Sequence, residues 1–246
     1  CRQKRKNNYY WQAKYLSMNL HISKDIEALS QSFADWLVLY IKEVLSKQDR
    51  FTIALSGGST PKKLYQLLTS DSYKKKIAWE QLHFFWGDER FVPFGDNRNN
   101  AKMAFEELLD HVPAVKEQVH IMQTDIDPEE SATAYEKLLH SYFDNKPHSF
   151  DLVILGLGDN AHTLSLFPGY EVVMEHKKWV SAFYLKEQEM YRITLTAPVI
   201  NLAARVAFLI SGGDKAAAVY HILASEHEPD LYPGQIIQPF NGELYW

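Results

Sequence analysis

His162 follows a glycine-containing turn at the end of an apolar segment, in DLVILGLGDNAHTLSLFPG. An unperturbed imidazole titrates near pH 6.5, so at neutral pH this side chain can accept a proton from water. A lone histidine is more often structural, but this one lies where loops line a ligand cleft. The sequence predicts no metal site, because it has no H-E-x-x-H pattern, its only cysteine is Cys1 and its ten histidines are scattered. A serine nucleophile is not indicated either, because no G-x-S-x-G elbow is present.

Two Ser-Gly-Gly segments each join an apolar run to a helical pattern, in FTIALSGGSTP and in VAFLISGGDKA. Glycine allows close backbone approach, and the N–H groups of a helix N-terminus bind anions. Neither segment has the G-x-x-x-x-G-K-[ST] spacing, so nucleoside triphosphate chemistry is disfavoured. A plain tight turn explains either pair of glycines equally well when it is taken alone. We predict that the first segment binds an anion through Ser56, Gly57, Gly58 and Ser59.

Four charged residues supply the other candidates. In WGDERFVP, Asp88 can orient a partner group and Arg90 can hold an anion. Arg192 precedes ITLT and can give the same cleft a fixed positive charge. Lys215 lies in a first helical turn, where a cation opposes the helix dipole, so an anionic ligand would help to explain it.

The segment GLGDNA fits the dinucleotide pattern G-x-G-x-x-G/A, but the fit is weak. Pro168 and Gly169 interrupt the helix that a dinucleotide site requires, and no acidic residue is placed to bind a ribose. The sequence therefore predicts no nicotinamide and no other cofactor.

Strands and helices alternate along the chain and must position these residues. Apolar spacing predicts an amphipathic helix from Ser23 to Ser46 with Ser23 as its N-cap, and a helix that begins at Asp127 and Pro128. Several strands are apolar on both faces, as in parallel sheets covered by helices. We predict an α/β, doubly wound, mostly parallel sheet with helices on both faces and a small extension. The predicted strands are Phe51–Leu55, QLHFFW running into an irregular charged loop, Val119–Met122, DLVIL, WVSAFYL, YRITLT and Val206–Ile210, with further helices at NNAKMAFEELLDHV and from Pro198.

Composition restricts the class of protein. Hydrophobic residues make up 46% and charged residues 23% of 246 residues, as in ordinary globular proteins. The net charge of −5 argues against nucleic acid as a partner, and no apolar run has the ~18 residues of a membrane span. One cysteine gives no disulfide framework, which favours a cytoplasmic location. We interpret residues 1–17, with five Lys or Arg and no acid, as a basic leader that is a non-native or disordered extension, and residues 18–246 as a single α/β domain.

Six sequence blocks together resemble the 6-phosphogluconolactonases, within a broader group that includes the glucosamine-6-phosphate deaminases. The blocks are ALSGGSTP, WGDERFVP with NN downstream, LGLGDNAHTLSLFPG, RITLTAPVIN, FLISGGDKA and YPGQIIQPFNGELYW, in the family's order. The resemblance implies a Rossmann-like fold and hydrolysis of 6-phospho-D-glucono-1,5-lactone to 6-phosphogluconate, the second step of the oxidative pentose phosphate pathway. It implies that His162 is the general base and that Arg90 holds the substrate or the developing negative charge. It also implies that the phosphate lies on the first Ser-Gly-Gly loop, with Arg192 and Lys215 as cations.

The sequence departs from the family pattern beside this histidine. The usual motif is Asp-Gly-His or Asp-Ala-His, whereas this chain has Asn160-Ala161-His162. Asn160 can still accept a hydrogen bond, but it lacks the charge that would stabilise a protonated imidazole, and it can select the wrong tautomer. Our hypothesis is an active but weakened enzyme. A second departure, Asn99 where the family often has Ser, is expected to be tolerated.

Two other functions stay open. An amino-sugar-phosphate deaminase or isomerase would share the phosphate site, although SLFPG resembles the lactonase branch. A non-catalytic sugar-phosphate sensor is favoured by Asn160 and opposed by the presence of His162, Arg90 and Lys215. The predicted partner is a small sugar-phosphate lactone, with no nucleic acid and no membrane. The oligomeric state stays open between a monomer and a weak dimer.

Overall fold

A five-stranded parallel sheet lies at the centre of the computed structural model, which describes residues 19–246. The leader predicted for residues 1–17 lies outside the described residues, as does residue 18, so the domain boundary stays a prediction. The strands are β1 (Phe51–Leu55), β2 (Leu82–Trp86), β3 (Asp88–Arg90), β4 (Leu152–Leu155), β5 (Val180–Leu185), β6 (Met190–Leu195), β7 (Arg205–Phe208) and β8 (Glu243–Tyr245). The central sheet has the order β2-β1-β4-β7-β8, and every neighbouring pair in it is parallel.

Helices cover both faces of this sheet, as predicted. They are α1 (Ile26–Leu45), α2 (Ser59–Leu68), α3 (Asp71–Lys74), α4 (Asn100–Glu107), α5 (Pro128–Phe143), α6 (Ala197–Ile200) and α7 (Ala216–Ala224). Successive side chains of a strand point to opposite faces. Leu152 and Ile154 of β4 therefore pack in one core with α1, α2 and α4, while Val153 and Leu155 pack in the other with α5, α6 and α7. Burial on both faces explains why β4, at the centre of the sheet, is wholly apolar.

A second, antiparallel sheet has the order β3-β6-β5. The sequence predicted an irregular loop over Asp88–Arg90, and this prediction is wrong, because Asp88 pairs with Thr194 and Arg90 pairs with Arg192. Three consecutive charged residues carry no apolar alternation, so the strand depends on the partner β6 and not on local pattern.

Other boundaries also differ from the predictions. The first helix is capped by Asp25 and not by Ser23, since the Asp25 carboxylate accepts the Ala28 N–H at 2.7 Å. The strand predicted at Val119–Met122 is reduced to one bridge between Val119 and Phe84. Strand β8 was not predicted.

The start of α5 agrees with its prediction. The Asp127 side chain accepts the N–H groups of Glu129 and Glu130, and Pro128 opens the helix. In the part of the chain that the structure describes, none of the helices combines the length and apolar character needed to cross a membrane.

Candidate active site

A cavity of about 400 Å³ lies beyond the carboxyl ends of β1, β2, β4 and β7. Parallel α/β sheets bind their ligands at this edge, because the loops there lead into helix N-termini. Both Ser-Gly-Gly segments reach the cavity, so the chain's two similar segments share one space. All of the predicted site residues except Asn160 line it, namely Ser56, Gly57, Gly58, Ser59, Asp88, Arg90, His162, Arg192 and Lys215.

The first glycine loop leaves the start of α2 without a side-chain cap. Gly58 has φ +103° and ψ 172°, a conformation that side chains rarely adopt, and α2 begins at the next residue. The Tyr65 hydroxyl accepts the Ser56 N–H at 3.0 Å and donates to the Ser56 carbonyl at 2.9 Å, which fixes the end of β1. N–H groups of the first turn are therefore available to an anion.

The second glycine loop repeats this backbone geometry. Gly212 has φ +109° and ψ 139°, close to the values of Gly58, and a short 3₁₀ turn then leads into α7. Lys215 ends that turn, with its ammonium 3.0 Å from the exposed Asp214 carboxylate. The side chain of Lys215 is 25% exposed, so an anion in the cavity can compete for it.

His162 is half-buried and stacks on Phe167, with ring centroids 4.1 Å apart. Gly158 leaves room for the imidazole, because a Cβ there would lie 2.0 Å from Nδ1. Burial lowers the pKa of His162 to about 4, while the negative charge of Asp88 acts in the opposite direction. The imidazole is therefore neutral at neutral pH, as a general base must be.

Asn160 lies outside the cavity lining but bonds directly to His162. Its Oδ1 lies 2.6 Å from Nδ1 of His162 and also accepts the backbone N–H of His162 at 3.3 Å. Because an oxygen that faces a backbone N–H is an acceptor, Nδ1 must carry the imidazole proton. Nε2 then keeps its lone pair. Asn160 thus favours the tautomer that a base requires, and the wrong-tautomer alternative raised by the sequence does not fit this geometry.

Asp88 and Arg192 form a buried ionic cluster in the cavity wall. Arg192 is 4% exposed, and its Nη1 lies 3.9 Å from Oδ2 of Asp88. Ser165 donates to that carboxylate oxygen at 2.6 Å, and Gln188 accepts a hydrogen bond from Nη2 of Arg192. Neither Ser165 nor Gln188 was predicted as a site residue, because Ser165 was read only as part of the segment after His162 and Gln188 lies outside every motif.

Arg90 enters the cavity from β3. Its Nη1 donates to the Arg98 carbonyl and to Oδ1 of Asn100, both at 2.9 Å. The neighbouring Glu89 is fully buried and bonds the N–H groups of Arg90, Asn100 and Ala101. These hydrogen bonds lower the pKa of Glu89, but burial outweighs them and raises it to about 7. Glu89 was overlooked as a site residue because adjacent charges in a presumed loop usually face solvent.

No group of three or more His, Cys, Asp or Glu side chains within residues 19–246 is arranged to hold a metal ion. The polar groups of the cavity are instead cations, backbone N–H groups, hydroxyls, amides and one imidazole, and its one carboxylate, Asp88, is paired with Arg192. This set suits an anionic ligand.

The sequence model for glucosamine-6-phosphate isomerases/6-phosphogluconolactonase matches residues 24–246. The chain belongs to this family. A 6-phosphogluconolactonase of a Nostoc species is 37% identical, over 94% of this chain and 95% of the relative. One of a Synechocystis species is 39% identical, over 84% of this chain and 85% of the relative. The structure of 6-phosphogluconolactonase from Trypanosoma brucei is similar at a TM-score of 0.80 and 30% identity, over 92% of this chain and 94% of that chain.

The departure at Asn99 has a structural explanation. The Asn99 side chain accepts the Lys102 N–H at 2.8 Å and caps α4. Serine is an equally good N-cap, so either residue supplies the same hydrogen bond. The departure at Asn160 is different, because it changes the charge beside the imidazole of a 6-phosphogluconolactonase family member.

Proposed function

We propose that this chain hydrolyses 6-phospho-D-glucono-1,5-lactone to 6-phosphogluconate. The names of its curated relatives support this substrate and reaction class. The observation that carries the proposal is the neutral, half-buried imidazole of His162 in one cavity with Arg90 and two glycine loops. One base and one anion site suffice, because a lactone carbonyl is already electrophilic and binding fixes its geometry.

The phosphate end of the substrate is assigned to the first glycine loop. Backbone N–H groups at the start of α2 and the hydroxyls of Ser56 and Ser59 supply uncharged donors. Lys215 adds a partly exposed cation, and Arg192 adds a buried cation that is already held by Asp88. Charge-assisted hydrogen bonds to phosphate are the strong ones, so this end supplies the larger share of the affinity.

The chemistry is assigned to the imidazole. Nε2 of His162 removes a proton as water attacks C1 of the lactone, while Nδ1–H remains bonded to Asn160. The carbonyl oxygen becomes negatively charged, and Arg90 is the cation assigned to it or to the bound substrate. The C1–O5 bond then breaks, and the proton returns from Nε2 to O5. The negative charge of Asp88 stabilises the imidazolium during these steps.

The direct test measures acid production from freshly prepared lactone, with spontaneous hydrolysis subtracted. The unaltered chain is expected to accelerate release, and His162→Gln to lower the rate by about 10²–10⁴-fold. Binding of 6-phosphogluconate to His162→Gln should persist, because the phosphate contacts are unchanged. Equal rates for the two proteins would contradict the role of His162.

Two alternatives have their own outcomes. The family also contains glucosamine-6-phosphate isomerases, so release of ammonia from glucosamine 6-phosphate would replace the proposed reaction. Asn160 in place of a carboxylate favours a sensor without turnover. Stabilisation of the fold by 6-phosphogluconate without any lactone hydrolysis would support that function.

The cellular location and assembly complete the proposal. The single cysteine, Cys1, supports a cytoplasmic enzyme. The net charge of −5 argues against nucleic acid as a partner, no apolar run has the ~18 residues of a membrane span, and the proposed reaction makes a small sugar-phosphate lactone the partner. We expect a monomer or a weak dimer, which sedimentation across a concentration series would distinguish.

A further inference from the structure

Glu89 and Asn100 are buried polar residues without a step in the proposed reaction, at 0% and 2% exposure. Oε1 of Glu89 accepts the N–H groups of Arg90 at 2.8 Å and Asn100 at 2.7 Å, and Oε2 accepts that of Ala101 at 2.8 Å. The carboxylate thus ties β3 to the first turn of α4. Free N–H groups and the helix dipole favour an anion at this point.

The side chain of Asn100 contacts three parts of the cavity wall. Its Nδ2 donates to the Asp88 carbonyl and its Oδ1 accepts from Nη1 of Arg90, both at 2.9 Å. It also fills the space beside Gly57, where a Cβ would lie 1.9 Å from Oδ1. One amide therefore touches the anion loop, the guanidinium and the backbone of β3.

Arg90 depends on this amide for its orientation. Its Nη1 has two acceptors, Oδ1 of Asn100 and the Arg98 carbonyl, and its Nε is buried without a partner. Arg98 lies in an exposed turn, whereas Asn100 is fixed by Glu89 and by α4. We propose that Asn100, anchored by Glu89, is a positioning residue that fixes Arg90 relative to the Ser56–Ser59 loop. This inference rests on the proposed function for the identity of the ligand, a sugar phosphate that meets both groups at once.

A purely structural role is the competing explanation, since any buried amide at a helix start stabilises the fold. Asn99 provides the comparison within the same turn. It is equally buried and caps α4 through Lys102, but it has no hydrogen bond to Arg90. Loss of Asn99 should weaken the helix start, at about 1 kcal/mol for a missing cap, without releasing the guanidinium.

The test is a double-mutant cycle in the full chain between Asn100→Ala and Arg90→Ala, with Asn99→Ala as the matched control. We expect Asn100→Ala to raise KM for the lactone and Kd for 6-phosphogluconate about tenfold in the unaltered background. In the Arg90→Ala background the same substitution should raise KM and Kd by less than about threefold, because the effects of two residues that share one interaction are not additive. Asn99→Ala should change KM and Kd by the same factor in both Arg90 backgrounds.

A structural role gives a different pattern. Loss of folded enzyme lowers the apparent kcat and leaves KM and Kd unchanged, and thermal unfolding reports it separately. An Asn100→Ala effect of equal size in both Arg90 backgrounds, or confined to kcat, would overturn the inference. If Asn100→Ala does not fold, Asn100→Ser keeps a polar group in the buried site but is too short to reach Arg90, and it takes the same place in the cycle.

Failure of the proposed function is recognised independently. It would appear as no lactone hydrolysis by the unaltered chain, whatever the variants do. In that case the cycle is measured on Kd for 6-phosphogluconate, whose phosphate meets the anion loop and whose C1 carboxylate meets Arg90 without any turnover. Coupling between Asn100 and Arg90 in that measurement would support the positioning role, and additivity or no measurable binding would overturn it.

Discussion

Oδ1 of Asn160 accepts two hydrogen bonds from His162, one from ring Nδ1 at 2.6 Å and one from the backbone N–H at 3.3 Å. The second bond identifies the atom as an acceptor, so the ring proton lies on Nδ1 and the lone pair on Nε2. Ala161 lies between the two residues at φ 63°, a left-handed conformation that is costly for a side-chain-bearing residue. This backbone conformation lets the Asn160 side chain orient the imidazole of His162 without adding a charge beside it.

Asn160→Asp should increase turnover about tenfold near neutral pH. The carboxylate would keep the same acceptor position and add a negative charge beside the imidazolium that forms during water attack. A rise of one unit in the pKa of His162 corresponds to about 1.4 kcal/mol. If the transition state gains all of this energy, the rate rises about tenfold. Steady-state kcat on the lactone measures the effect. Asn145→Asp, which adds the same charge at an exposed left-handed position, is the control, and no gain over it would remove the carboxylate argument.

The acid side of the pH–rate profile should lie near pH 4 and not near pH 6.5. Burial lowers the pKa of His162 to about 4, so the imidazole stays unprotonated, and able to accept a proton, down to that pH. The pH dependence of kcat/KM reports groups of the free enzyme, so this quantity is the one to measure. In Asn160→Asp the acid limb should move to higher pH, because the added negative charge favours the protonated ring. Because Glu89 has a pKa of about 7, the profile is also measured in Glu89→Gln, and an acid limb at pH 6.5 in both proteins would contradict this cause.

Gly57→Ala should raise KM for the lactone at least about tenfold. The new Cβ would lie 1.9 Å from Oδ1 of Asn100, so the amide that holds Arg90 must move. Gly95→Ala is the matched control, because nothing lies within 4 Å of a Cβ there and its φ is unrestrictive. Comparable KM values for the two variants, with both shown to be folded, would mean that the amide tolerates displacement.

Lys215→Ala should weaken phosphate binding and leave the chemical step largely intact. A hydrogen bond to a charged group is worth about 1.5–3 kcal/mol, which corresponds to at least about a tenfold rise in Kd for 6-phosphogluconate. Calorimetry on Lys215→Ala, with the exposed Lys177→Ala as control, measures it. The effect should shrink as salt is added, because the contact is partly exposed. A fall in kcat with unchanged Kd would instead place Lys215 at the reacting carbonyl.

Local sequence pattern was sufficient to predict an element where the same residues indicate both the secondary structure and the candidate site. Gly58 and Gly212 indicate loops, because few other residues adopt φ above +100°. Apolar runs indicate strands that are buried on both faces. Local sequence pattern gave the wrong prediction at Asp88–Arg90, where three consecutive charged residues resemble a solvated loop. That segment is a strand because β6 supplies the hydrogen-bond partners, and a pairing partner about 100 residues away leaves no mark on local sequence.

The amino-acid sequence by itself determined the alternation of strands and helices, the two glycine loops, the family and the presence of one histidine beside an amide. Only the tertiary structure decided that Glu89 faces inward, that Asn100 joins Arg90 to the first loop, and that His162 is buried enough to be neutral. Periodicity and glycine preference are properties of neighbouring residues, so they can be read along the chain. Burial, pKa and hydrogen-bond partners depend on residues distant in sequence, so they exist only after the two sheets and their helices have packed together.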